Sequence, residues 1–152
     1  MTKFSAHIIV AAGGSLVLLL GAFFFQHVVG LAPCKLCIWQ RWPHVVAILI
    51  GVAALAFGSR VLAWLGALAA LVTASVGLYH TGVEKGWWEG PSTCTSSGAG
   101  NLSANDFFDK VINAPLIRCD EIAWQMLGLS MASYNAIFAT VLATFWIRAA
   151  RS

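Results

Sequence analysis

Charge is what this sequence lacks most. Of 152 residues only 10% are Asp, Glu, Lys or Arg, with nine basic and six acidic side chains. Soluble domains carry about a quarter of their residues as charges, so a chain this poor in them has too little polar surface to be stable in water. All six acids, Glu84, Glu89, Asp106, Asp109, Asp120 and Glu121, fall between residues 81 and 130, leaving the apolar stretches without carboxylates. There is no internal repeat, no low-complexity tract and no second domain, and no motif for flavin, haem or metal. The net charge of +3 says little about substrates, and no nucleic acid is expected as a partner.

What is present is hydrocarbon. Hydrophobic residues make up 59% of the chain, concentrated in four stretches, about 8–29, 43–58, 61–79 and 131–147, that approach or meet the roughly 20 residues needed to cross a bilayer as a helix. Helix is the expected form, because an open strand would leave backbone groups unpaired in lipid. Gly58-Ser59-Arg60 leaves room only for a tight turn between the second and third helices. The expected fold is therefore all-α: a single membrane domain over 1–152, an antiparallel four-helix bundle in the lipid bilayer with loops at about 30–42 and 81–130. The first stretch starts after Lys3, is longer than the apolar core of a cleaved signal and lacks a clear small-x-small site, so it is expected to be retained.

With four spans both termini share a side. Lys3, Arg60, Arg148 and Arg151 lie there in short acid-free segments, whereas Lys35, Arg41, Lys85, Lys110 and Arg118 are spread over longer loops. Short basic segments favour the cytoplasmic side. That orientation puts Cys34, Cys37, Cys94 and Cys119 outside, where disulfides persist.

Cys34-Lys35-Leu36-Cys37 is a C-x-x-C motif at the expected mouth of the second helix. Helix N-termini stabilise thiolates, and Arg41, one turn beyond Cys37, should face the same way as its sulfur. Pro43 suits a first helical turn, where a missing N–H costs nothing. Cys94 and Cys119 stand far apart in the long loop, among glycines at 82, 86, 90, 98 and 100 that free the backbone. One sulfur group thus sits at the lipid edge and the other in water, the division a thiol relay requires. Between the loop cysteines, Ser103-Ala104-Asn105-Asp106 resembles a capping box. The apolar residues Ala104, Phe107, Phe108, Val111 and Ile112 then follow at helical spacing, predicting a short amphipathic helix that lies in the interface or packs on the loop. Three other readings of the cysteines stand beside a relay. They could hold zinc, although the spacing fits paired ligands poorly, form purely structural staples, or remain free thiols; four cysteines also permit three pairings. Trp39, Trp42, Trp87 and Trp88 read as an interfacial aromatic belt, and His27, His44 and His80 as polar residues in or near the interface.

These residues together resemble the DsbB family, bacterial inner-membrane proteins that reoxidise the periplasmic thiol oxidase DsbA with quinone. The resemblance runs through Phe25-Gln26-His27-Val28, Pro33-Cys34-x-x-Cys37, Arg41, Tyr79-His80-Thr81, Cys94, Cys119 and Trp124-x-x-Leu127-Gly128-Leu129. It implies redox-active disulfides Cys34–Cys37 and Cys94–Cys119, and electron flow from a DsbA-like partner through Cys94, Cys119, Cys34 and Cys37 to ubiquinone or menaquinone. Arg41 and His80 would bind the quinone. It further implies a multi-pass protein of the bacterial inner membrane, with cytoplasmic termini and periplasmic cysteines. Gln40 departs from the pattern, which leads to an acid there, and the loop between Cys94 and Cys119 is slightly short. A vitamin K epoxide reductase-like protein also combines four helices with two cysteine pairs, but there the C-x-x-C follows the loop pair, whereas here it comes first.

Overall fold

The computed structural model describes residues 2–91 and 118–152. Cys94 and the amphipathic helix expected after Ser103 lie outside the described residues. Those described form four helices, α1 (Lys3–His27), α2 (Lys35–Phe57), α3 (Arg60–Glu84) and α4 (Met131–Arg151), and a short hairpin of β1 (Gln125–Met126) and β2 (Leu129–Ser130).

The helix ends follow local chemistry. Thr2, Cys34 and Ser130 each turn a side-chain acceptor onto a backbone N–H of the first turn, at Ser5, Cys37 and Ser133. Gly58 ends α2 in the left-handed region (φ 62°) and donates its N–H to the Ala54 carbonyl. Only Gly58 and Ser59 separate α2 from α3, which packs against it.

Two features differ from the sequence expectation. First, α2 begins at Lys35, not near residue 43, so Pro43 lies inside it. The polar turn Gln40-Arg41-Trp42 hides the helix from a reading based on apolar runs, yet Leu36, Gln40, His44, Ala47, Gly51 and Ala54 form one buried face. Pro43 cannot donate to the Trp39 carbonyl; in the same turn the Thr73 hydroxyl donates to the Gln40 carbonyl at 2.9 Å, the kind of side-chain help that lets proline sit within membrane helices. Second, the segment before α4 is not purely loop. β1 and β2 pair antiparallel around Leu127 and Gly128, whose φ values of 51° and 77° match the positive pair required by a two-residue type I′ turn.

Three helices, α1 to α3, are long and apolar enough to cross a membrane. α4, expected as the fourth such span, carries Ser133, Tyr134, Asn135, Thr140, Thr144, Arg148 and Arg151 and is more polar. It compensates by packing closely against α3 and α1. The core where the helices meet is built from small residues, Ala11, Ala47, Ala54, Ala63, Ala67, Ala70, Ala143 and Ala149 among them, around Ile8 and the fully buried Trp146. Lipid offers no hydrophobic drive for helix association, so close backbone approach and dispersion must supply it. At Gly66 the approach leaves no room for a side chain: a Cβ there would lie 2.5 Å from Trp146 Cε3 and 2.6 Å from two further ring atoms.

Gly66→Ala should therefore destabilise the bundle by about 1–3 kcal/mol through overpacking. Gly13→Ala, where an added Cβ meets nothing within 4 Å, should be neutral or slightly stabilising, as expected for an unobstructed helix position. Unfolding of both variants by sodium dodecyl sulfate in mixed micelles checks the difference.

Candidate functional site

The chemistry gathers at one end of the bundle, where the start of α2, the end of α3 and the start of α4 meet the segment carrying Cys119. Cys34 is the N-cap of α2, and its sulfur accepts the Cys37 N–H at 3.2 Å. A C-x-x-C placed across a helix start brings the second cysteine back under the first, and the two sulfurs lie 2.8 Å apart, with Cys34 donating to Cys37. That hydrogen bond, reinforced by burial, pushes the Cys34 thiol far above the ordinary cysteine range, so in the reduced pair Cys34 keeps its proton. Cys119 is fully buried and packs with Cys34, Leu36 and Val83. Its short segment is clipped by Arg118, which binds both Asp120 carboxylate oxygens at 2.6 and 3.0 Å and holds that carboxyl below the usual range.

Three of the four sequence-predicted cysteines, Cys34, Cys37 and Cys119, are thus brought together; Cys94 is not among the described residues. Arg41 extends from α2 toward α1. Its guanidinium donates to Gln26 Oε1 and to the Ala22 carbonyl and lies over the Phe23 ring, 5.1 Å from its centroid. Its Nε is buried with no hydrogen-bond partner among the described residues. Arg41 and Cys37 both line a cavity of about 460 Å³ between α1, α2 and α4, whose wall is otherwise mainly apolar, with Phe25, Trp124 and Phe138 among its aromatic members. The volume falls within the range of small-molecule sites.

His80 is buried in a different place. Its Nε2 lies 3.5 Å from Cys34 Sγ and 3.8 Å from a carboxylate oxygen of Glu84, and the ring shares a hydrogen bond with the Cys119 backbone. It is therefore packed on the sulfurs, and it adjoins the cavity through Gln40, a wall residue that donates to His80 Nδ1 at 3.0 Å. Glu84 accepts a hydrogen bond from Ser130. Cys34, Cys37 and His80 offer three soft or borderline donor atoms within 4.8 Å of one another, so this geometry suits either dithiol exchange or capture of a metal ion.

Sequence reasoning passed over Asn135 and gave Gln26, Gln40 and His44 no part in holding this site. Asn135 of α4 donates to Gln40 Oε1 at 2.8 Å and to the hydroxyl and carbonyl of Thr73 at 3.1 and 3.3 Å, and its own oxygen meets His44 Nε2 at 2.8 Å. His44 is thus a buried network member instead of an interfacial one. An amide within an apolar helix is costly unless it is partnered, and that cost was the available signal for Gln26, Gln40 and Asn135. The four tryptophans of the expected belt are all exposed, and Trp88 also stacks on Tyr79 and donates to its carbonyl.

Comparison with known proteins adds a family to this geometry. Residues 5–149 match the family model described as Disulfide bond formation protein DsbB. Relatives include Disulfide bond formation protein B 2 of Pseudomonas aeruginosa, 34% identical over 140 residues that span 88% of this chain and 82% of the relative. Disulfide bond formation protein B of Marinobacter nauticus is 32% identical over 137 residues, covering 82% and 79%. The protein of that name from Acidovorax sp. is 30% identical over 146 residues, covering 84% and 79%. No solved structure matches the chain.

The hydrogen bond between the sulfurs makes a chemical prediction. Because the Cys34 thiol is raised, its thiolate is scarce at neutral pH, and a thiol loses roughly tenfold in thiolate for each unit of upward shift. Pulse alkylation of the reduced protein with iodoacetamide near pH 8 should label Cys37 at least roughly tenfold faster than Cys34. The Cys34 rate should keep climbing with pH after that of Cys37 levels off, as read by peptide mass spectrometry.

Proposed function

The chain belongs to the DsbB family of disulfide bond formation proteins, and from that premise we propose that it is a membrane thiol:quinone oxidoreductase that reoxidises a periplasmic DsbA-like dithiol oxidase. The observation that carries this reading is the cysteine pair at the mouth of α2, with Cys37 and Arg41 lining one mainly apolar cavity and Cys119 buried against Cys34. In this reading the protein is an antiparallel four-helix bundle of the bacterial inner membrane, with cytoplasmic termini. The working pairs are Cys34–Cys37 and Cys94–Cys119.

The cavity fits a quinone head group. Its wall is apolar apart from a few polar groups, and the buried, unpartnered Nε of Arg41 beside the bound guanidinium leaves a cation able to donate to a carbonyl. Ubiquinone or menaquinone bound there supplies a two-electron acceptor. The residues do the rest. A thiolate of the partner attacks Cys94, forming a mixed disulfide and releasing Cys119 as thiolate. Cys119 attacks Cys34, and the Cys34–Cys37 bond breaks to leave Cys37 as thiolate on the cavity wall. Arg41 holds negative charge at that wall, and Gln26 and Ala22 hold Arg41 in place. His80 sits against Cys34 on the sulfur side and meets the cavity through Gln40. The partner's second thiol displaces Cys94 to complete the partner's disulfide, and Cys94 re-forms its bond to Cys119 and releases Cys34. The Cys34–Cys37 dithiol gives up two electrons through Cys37 as its own disulfide re-forms; the sum is dithiol plus quinone giving disulfide plus hydroquinone.

Purified protein with a reduced cognate partner should bleach quinone absorbance, and Cys37→Ser should abolish this while leaving the protein folded. Cys119→Ser should accumulate a mixed disulfide between Cys94 and the partner, visible on non-reducing gels. Arg41→Met should raise the KM for quinone with little effect on that for the partner. Absence of quinone-dependent oxidation with a cognate partner would refute the proposal.

A further inference from the structure

Gln40 stands between the cavity and the sulfurs, and its amide can point only one way. Its Nε2 donates to the Leu36 carbonyl at 3.3 Å and to His80 Nδ1 at 3.0 Å, while its Oε1 accepts from Asn135 Nδ2 at 2.8 Å. Turning the amide over would set its oxygen against the Leu36 carbonyl and its nitrogen against the Asn135 nitrogen. Asn135 cannot turn to accommodate this, because its nitrogen is held by the Thr73 carbonyl at 3.3 Å and its oxygen meets His44 Nε2 at 2.8 Å. Two backbone carbonyls, one on α2 and one on α3, therefore polarise the whole chain of amides.

The consequence falls on His80. A ring nitrogen that accepts a hydrogen bond carries no proton, and a neutral imidazole then has its proton on the other nitrogen. We propose that Gln40, locked by Asn135, is a positioning residue that keeps the His80 proton on Nε2, where it is directed at the Cys34 sulfur. The contact is the 3.5 Å approach of Nε2 to Cys34 Sγ; with Nδ1 accepting, the ring's hydrogen bond to the Cys119 backbone draws on the same Nε2 proton, which is shared between that backbone and the sulfur. Cys34 then accepts from His80 and from the Cys37 N–H and donates to Cys37, so its donor and acceptor capacities are used consistently. Glu84, 3.8 Å from Nε2, is a second acceptor on the same side and favours the same tautomer.

An N–H at a sulfur stabilises that sulfur as thiolate and makes it a better leaving group; this catalytic meaning rests on the thiol–quinone reading above. The same proton does a second thing. Metal-bound histidine offers a bare ring nitrogen to the ion and donates from its other nitrogen to an acceptor. Here the polarity is reversed, so the cluster of Cys34, Cys37 and His80, which otherwise has the composition of a three-ligand zinc site, is held in the form that does not take a metal.

Long-range 1H–15N correlation spectra of the reduced, 15N-labelled protein in nanodiscs test the tautomer directly, with His80→Gln assigning the signals. The wild type should show His80 protonated at Nε2, and Gln40→Glu, whose carboxylate accepts where the amide donated, should place a proton on Nδ1. Gln40→Met, which keeps the volume and guards against a variant that fails to fold, should populate both tautomers. A wild-type proton on Nδ1, or a pattern unchanged in both variants, overturns the proposal. Cobalt(II) alone serves as a second probe: reduced Gln40→Glu should bind it roughly 10–100-fold more tightly than wild type, read by thiolate-to-cobalt absorption, and equal affinities would overturn the exclusion of metal. Quinone reduction is assayed in parallel. The expected tautomer in a protein that cannot reduce quinone would refute the functional reading and leave the positioning role standing; the wrong tautomer in an active protein would do the reverse.

Discussion

The hydrogen bond from Asn135 to Gln40 joins α4 to α2 inside the bundle, and through Thr73 it also engages α3. In water such a contact would be worth little, because both amides lose equally good partners on forming it. Here Gln40 is buried and Asn135 half-buried among apolar helices, so leaving either amide unpaired is the costly alternative. This constraint explains why polar residues in three apolar helices occupy one level of the bundle. It also explains why the helices must register with one another: a shift of one residue in α4 would separate Asn135 from Gln40, Thr73 and His44 together. The histidine at the sulfurs inherits its orientation from that register.

Away from this polar level the buried core is built mainly of small residues around Ile8 and Trp146. Alanines and glycines let the helices approach, and Trp146 fills what they leave, lying against Gly66 and Gly51. At the other end the small-residue packing gives way to the cavity walled by Phe25, Trp124, Tyr134 and Phe138, into which Cys37 and Arg41 are set. The bundle thus has a closely packed half and a half that opens into a cavity, with Cys37 on the cavity wall.

The sulfurs themselves show how local and distant constraints combine. The helix start at Lys35 brings Cys34 and Cys37 together, because an N-cap side chain folds over the first turn. Nothing local brings Cys119 to them; the clip of Arg118 on Asp120 and the type I′ turn at Leu127-Gly128 shape the chain that leads from Cys119 back into α4. Leu127, 90% exposed with φ of 51°, is tolerated in that turn because the hairpin requires two positive φ angles and the following glycine supplies the easier one.

Much of this was legible in the amino-acid sequence. The scarcity of charge and the long apolar runs determined a membrane helical protein, since hydrocarbon accepts no unpaired backbone; Gly58-Ser59 determined a tight turn; and C-x-x-C ahead of a helix determined a close sulfur pair. These are matters of composition and of spacing within one element, which physical chemistry converts into structure without knowing the neighbours. The start of α2 was misplaced because hydropathy sees Gln40 and Arg41 as loop, when their partners lie on α1, α3 and α4. The hairpin, the burial of Cys119 against Cys34, the inclusion of His44 and Asn135 and the placement of His80 on the sulfur side were decided only by tertiary structure. Each depends on which group lies opposite across a helix interface, and a buried polar side chain has its meaning set by its partner, which one-dimensional periodicity does not record.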